Sequence, residues 1–79
     1  MSGTGEANPR IYRFVDIDRT SKPPVALFQD DTGDKIPAGV FAIRAAIDVC
    51  ERKDKDTNGV NGATIPIGDL RIAYRRLIV

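Results

Sequence analysis

Three clusters of side chains in this sequence have the types and spacing to do chemistry. Arg71, Arg75 and Arg76 flank Tyr74 within six residues. A guanidinium is a planar fork of donors that matches carboxylate or phosphate, and a tyrosine ring can stack on a base or anchor a protein contact. Arg71 and Arg75 share a face whether the segment is helix or strand. Asp30, Asp31 and Asp34 crowd one turn, where their charges could imitate phosphates to a basic partner, although such turns usually serve only the backbone. Asp54, Asp56 and Asn58 alternate short oxygen side chains ahead of Gly59. A loop converges on a hard cation in this way, with the glycine permitting the bend.

The run Asp54-Lys55-Asp56-Thr57-Asn58-Gly59 resembles the first half of an EF-hand calcium loop and follows a helical pattern, as such a loop should. The resemblance stops there. The twelfth position, where a bidentate Glu belongs, is Ile65, and an acid arrives only at Asp69. The stretch from Asp30 to Gly39 resembles a worn EF-hand or dockerin loop and ends on Val40 in place of the acid. A solvated loop that ends a helix accounts for the same residues, so no metal or other cofactor is expected.

Catalysis has little to work with. The sequence contains no His, which removes the commonest general base near neutral pH and every nucleophile–His or metal–His pair. The single cysteine, Cys50, falls on the apolar side of a helical pattern and is expected as a buried small hydrophobe. Asp16 and Asp18 alternate near a strand end, but a chain of 79 residues leaves little room for a cleft. No glycine-rich phosphate loop is present. The expectation is a protein that is not an enzyme.

The elements that position these clusters follow from patterning. Met1–Pro9 has no apolar periodicity and reads as a disordered tail, leaving residues 10–79 as one globular α+β domain. Arg10–Ile17 and Val25–Gln29 are rich in β-branched and aromatic residues and are expected to pair as an antiparallel hairpin. Pro24 is taken to mark the second strand as an edge. Asp30–Lys35 reads as a turn. Val40, Ile43, Ile47 and Cys50 recur at helical spacing, predicting a helix that begins between Pro37 and Val40 and ends near Lys53 or Asp54. Asp48 and Arg52 are an i,i+4 pair on it. Lys55–Ala63 reads as a polar loop, and Thr64–Ile67 as a short strand. Leu70–Val79 fits a helix with Asp69 as N-cap and Leu70, Ala73, Tyr74, Leu77 and Ile78 on one face. It also fits a strand, which would give ββαββ. The expected architecture is a small antiparallel sheet packed against the main helix.

An internal echo favours the helix. Gly33, Ile36, Pro37, Gly39 and Ile43 recur 29 residues later as Gly62, Ile65, Pro66, Gly68 and Ile72. If the copies share a structure, each is a turn, an extended Ile-Pro, a glycine and then a helix. Glycine and proline punctuate helix starts in many proteins, which is the plainer reading.

Twelve basic and eleven acidic residues leave a net charge of +1, too little for a field that draws the whole molecule onto nucleic acid or an anionic membrane. No apolar run approaches a membrane span, no secretory leader opens the sequence, and no disulfide can form within it, so a reducing, cytoplasmic setting is expected. A domain this small buries only about 60% of its unfolded surface, which makes a homodimer a reasonable expectation. By elimination the leading expectation is a protein–protein interaction module, acting stoichiometrically as an adaptor or inhibitor of a protein or nucleoprotein complex. Its size and composition, rather than any motif, are similar to those of small phage and mobile-element inhibitors of host nucleic-acid machinery, anti-CRISPR proteins among them. The alternatives are a small structural subunit of an assembly such as a virion, a nucleic-acid binder using the Arg cluster, and a degenerate EF-hand-like calcium module.

Overall fold

The computed structural model describes residues 10–79. The expectation for Met1–Pro9 lies outside the described residues. The chain forms strands β1 (Arg13–Asp18), β2 (Val25–Gln29) and β3 (Lys35–Ala38), helix α1 (Val40–Lys53), strands β4 (Thr57–Val60) and β5 (Ala63–Pro66), and helix α2 (Ile67–Ile78). This is the expected α+β class, with a second helix at the end rather than a further strand.

The three-stranded sheet is an antiparallel meander in the order β1-β2-β3, and β4-β5 is a separate antiparallel hairpin. β2 is therefore the central strand, and the edge expected from Pro24 is not found. Pro24 precedes the first cross-strand pair, Asp18–Val25, so its missing N–H deprives no ladder bond. β1 begins at Arg13 rather than Arg10. The residues before it turn toward the other sheet, where Ile11 bridges Thr64 in parallel and the Tyr12 N–H donates to the Thr64 carbonyl at 2.8 Å.

Two strands formed where loop or helix start was expected. β3 takes Lys35 from the turn and Pro37 from the anticipated first helical turn, so α1 begins only at Val40, after the extended Gly39. β4 lies within the polar loop. There Asn61 and Gly62 both adopt positive φ, at 52° and 84°, the two-residue turn that matches the twist of a hairpin. α1 ends as expected, with Asp54 left-handed at φ 53° and the Lys55 N–H closing on the Cys50 carbonyl.

The echoed segments share a path. Each has a positive-φ glycine, Gly33 or Gly62, then a strand through Ile-Pro, then a helix. Their burial differs: Ile43 is fully buried, whereas its counterpart Ile72 is 45% exposed. The core gathers Ala26, Phe28 and Ala38 from the sheet and Ile43, Ala46 and Cys50 from α1. Val60, Ala63 and Ile65 of the hairpin and Leu70 and Ala73 of α2 complete it with Tyr12. Cys50 is the buried small hydrophobe that its spacing implied. Phe14 meets Phe28 edge to face at 6.1 Å, joining the half-buried rim to the core. Ile78, expected on the packed face of α2, is exposed. No helix among the described residues is long and apolar enough to cross a membrane.

Candidate binding surface

α2 rests on α1 and on β1, and this packing divides the Arg/Tyr cluster between two surfaces. Arg71, Tyr74 and Arg75 line an open groove of about 430 Å³ between the helices, opposite Arg44, Ile47 and Asp48 of α1, with Ile78 at one end. Arg76 turns the other way. Its guanidinium carbon lies 5.9 Å from the Phe14 ring centroid, a cation–π contact, and Arg76 joins Arg19, Arg75 and Val79 around a second depression of about 290 Å³.

The charge on this face is arginine-rich and largely uncompensated. Arg71 donates to Glu51 at 2.9 Å, a pair exposed on both sides and hence weakly stabilising. Among the described residues, Arg19, Arg44, Arg75 and Arg76 have no carboxylate within 4 Å. The anticipated Asp48–Arg52 pair is likewise not formed. Arg75 and Arg76 occupy the last turn of α2, where the backbone dipole favours cations. Half-buried Ile47 and Tyr74 supply an apolar floor. The groove can thus take an anionic group on its arginines and an apolar side chain between them.

The acidic turn has a different occupation. Asp30 is buried, and its Oδ1 accepts the Thr32 N–H and hydroxyl and the Asp34 N–H at 2.7–2.9 Å. Arg10 reaches its other oxygen at 3.4 Å. Burial alone would push the Asp30 carboxyl up, but the hydrogen bonds from Thr32 and Asp34 and the Arg10 charge outweigh it and hold it below its ordinary value. Asp34 accepts the Tyr12 hydroxyl at 2.6 Å, and that bond, with desolvation, raises the phenol above its ordinary value. Asp30 therefore organises the turn that Tyr12 leans on, and Asp31 is exposed and makes no side-chain hydrogen bond among the described residues.

Asp54, Asp56 and Asn58 are drawn into backbone roles. Asp54 is the left-handed helix cap, the Asp56 carbonyl accepts the Ile67 N–H at 2.8 Å, and Asn58 pairs with Ile65 in the hairpin. Asn58 belongs to β4, whereas Asp56 lies in the bend before that strand and Asp54 at the helix end, so the three stand on different local structures. No group of three or more His, Cys, Asp or Glu among the described residues is arranged to hold a metal ion.

Sequence patterning missed Arg19, Arg44, Ile47, Asp48 and Ile78 as parts of this surface. Arg44 and Asp48 look like an ordinary solvated helix face, and only the packing of α1 on α2 sets them across from Arg71 and Tyr74. Asp69 was expected as an N-cap, but Pro66 holds that position. Asp69 instead sits in the first turn of α2 and aims its carboxylate at β1. No protein-family model, curated protein or solved structure matches this chain.

Proposed function

We propose that this protein is a non-enzymatic interaction module that acts stoichiometrically, as an adaptor or inhibitor, by seating its arginine-lined α1–α2 groove on an acidic protein partner. One observation supports the reading most strongly. Among the described residues neither Arg44 nor Arg75 has a carboxylate within 4 Å in a half-apolar groove that Asp48 also lines, although the molecule carries nearly as many acids as bases. Arginine and tyrosine are the side chains enriched where protein interfaces concentrate their energy. The acidic turn offers less support for a partner that reads phosphate mimicry, because Asp30 is buried and Asp34 is bonded to Tyr12.

The test is a charge-removal variant, Arg44→Ala with Arg71→Ala and Arg75→Ala, compared with the wild type in affinity capture from lysate and then with the captured protein purified. The expected result is loss of the partner with an unchanged circular dichroism spectrum. Equal binding by both proteins overturns the proposal. Capture of DNA or RNA alone, with a steep fall in affinity as salt rises, replaces it with direct nucleic-acid binding.

A further inference from the structure

The sheets of this molecule end in four strands: β5 is covered where Ile11 bridges Thr64 and Tyr12 donates to the Thr64 carbonyl, and two others are blocked. β1 carries an irregularity between Phe14 and Asp16, places Asp16 and Asp18 along its length, and has its Phe14 N–H taken by Asp69. β3 has Pro37 at its centre. The pairing of Leu27 with Pro37 lies between hydrogen-bonded pairs, so Pro37 faces outward, where it has no N–H to offer. Its carbonyl is occupied by the Asn61 side-chain amide at 2.9 Å. Bulges, charges, proline and covering groups are the means by which natural sheets prevent further pairing.

β4 has α1 packed against it but carries no bulge, charged residue or proline. The ladder register shows which of its groups point outward. The Thr64 carbonyl, opposite Gly59, is spent on Tyr12, and the Asp56 carbonyl turns inward to Ile67. The alternation of an antiparallel pair then directs the N–H and C=O of Gly59 and Thr57 away from β5. Among the described residues neither makes a hydrogen bond on that side. Alongside this edge runs a channel of about 250 Å³ walled by Ala42, Ala45, Ala46 and Val49 of α1. Phe41, 84% exposed, stands one helical turn before Ala45 on the same side of the helix.

We infer that β4 is a docking edge for a second copy of this chain, the two β4 strands pairing antiparallel across a two-fold axis near Gly59. An isologous contact brings each residue close to its own counterpart, so a charged patch repels itself there and an uncharged one does not. Residues 57–63 carry no charge, and neither do the four α1 residues of the channel, in a chain where 29% of residues are charged. A partner of opposite charge has nothing to recognise on this edge, whereas an identical strand supplies the same pattern of donors and acceptors in reverse. Small alanine side chains leave room for the incoming backbone, and Phe41 of each copy covers the flank of the other. This face lies on the side of α1 away from the arginine-lined groove, so the pairing leaves that groove open.

The experiment is sedimentation equilibrium over a concentration series with the full chain, alongside amide exchange of Thr57 and Gly59 by NMR. The wild type is expected to pass from one chain mass to two as concentration rises, with protection appearing at both amides. Gly59→Lys is expected to stay at one chain mass throughout. A Cβ there meets only the Ala63 carbonyl at 3.8 Å, so the folded monomer accepts the side chain while the two-fold pair places two ammonium groups together. Phe41→Lys, at an exposed position, must weaken the dimer at least tenfold and serves if Gly59→Lys does not fold. A wild type that remains at one chain mass overturns the inference. So does a dimer whose Thr57 and Gly59 amides stay unprotected, or one undiminished by either lysine.

Discussion

The Asp69 carboxylate takes the place of a strand backbone for Phe14. Its Oδ2 accepts the Phe14 N–H at 2.8 Å at the point where the chain has already left β5 for α2. The same carboxylate receives Arg13 Nε at 3.1 Å on each oxygen. Asp69 is buried, whereas the Arg13 side chain is 68% exposed, so the two partners differ in weight. Asp69→Ala should destabilise the fold by about 1–2 kcal/mol, since a partly buried N–H is left unsatisfied. Arg13→Ala should cost less than about 1 kcal/mol, because solvent screens the pair. Urea titrations of both variants check the order; equal losses would mean that the ion pair, not the strand N–H, sets the value of Asp69.

Asp30 predicts how the protein responds to acid. Its carboxyl is held below the ordinary 3.8, so the folded state binds a proton there less readily than the unfolded chain does. The resulting stabilisation is complete above the unfolded value and is lost as pH falls through the lower folded value. Asp30→Asn should lower stability at neutral pH and flatten the decline between pH about 5 and 2. Thermal melts across that range measure it, and an acid limb as steep as the wild type's would assign the effect to other carboxylates.

Two glycines of the β4–β5 hairpin separate backbone freedom from space. Gly62 has φ +84° with open space where a Cβ would go, whereas Gly59 has ordinary strand geometry. Gly62→Ala should destabilise by about 1 kcal/mol through strain alone, and Gly59→Ala should change monomer stability by less than about 0.5 kcal/mol. Chemical denaturation at a concentration that keeps the protein at one chain mass gives both values.

Ile43 and Ile72 occupy matching places in the echoed segments but not matching environments. Ile43→Ala removes a fully buried side chain and should cost about 3 kcal/mol, a large share of the stability of a small domain. Ile72→Ala should cost under about 1 kcal/mol. Similar losses in equilibrium unfolding would show that the second helix buries its outer face in solution.

The elements legible in the sequence were those with strong local patterns. β2 has its predicted bounds, and α1 follows Ile43, Ala46 and Cys50 to the left-handed Asp54. The echo indicated a helix at the end of the chain. β3 and β4 were hidden because four-residue strands carry too few positions to display alternation, and Pro37 and Asn58-Gly59 are poor strand formers on their own. Both exist because a neighbouring strand holds them. At the candidate surface, Arg71, Tyr74 and Arg75 were visible as a cluster. Arg44 and Asp48 were not, since only tertiary packing faces the helices toward one another. Asp69 had the look of a cap, and its actual partner is 55 residues away.

Tyr12 grips both halves of the molecule at once, by its N–H to Thr64 and its hydroxyl to Asp34. Each half, antiparallel strands followed by a helix, is assembled from near neighbours and can organise rapidly. The clasp joins distant parts of the chain and cannot close on a ribosome until Thr64 of β5 has emerged. Until then the first half stands without the contact that joins it to the second, and melting as one cooperative unit waits on β5.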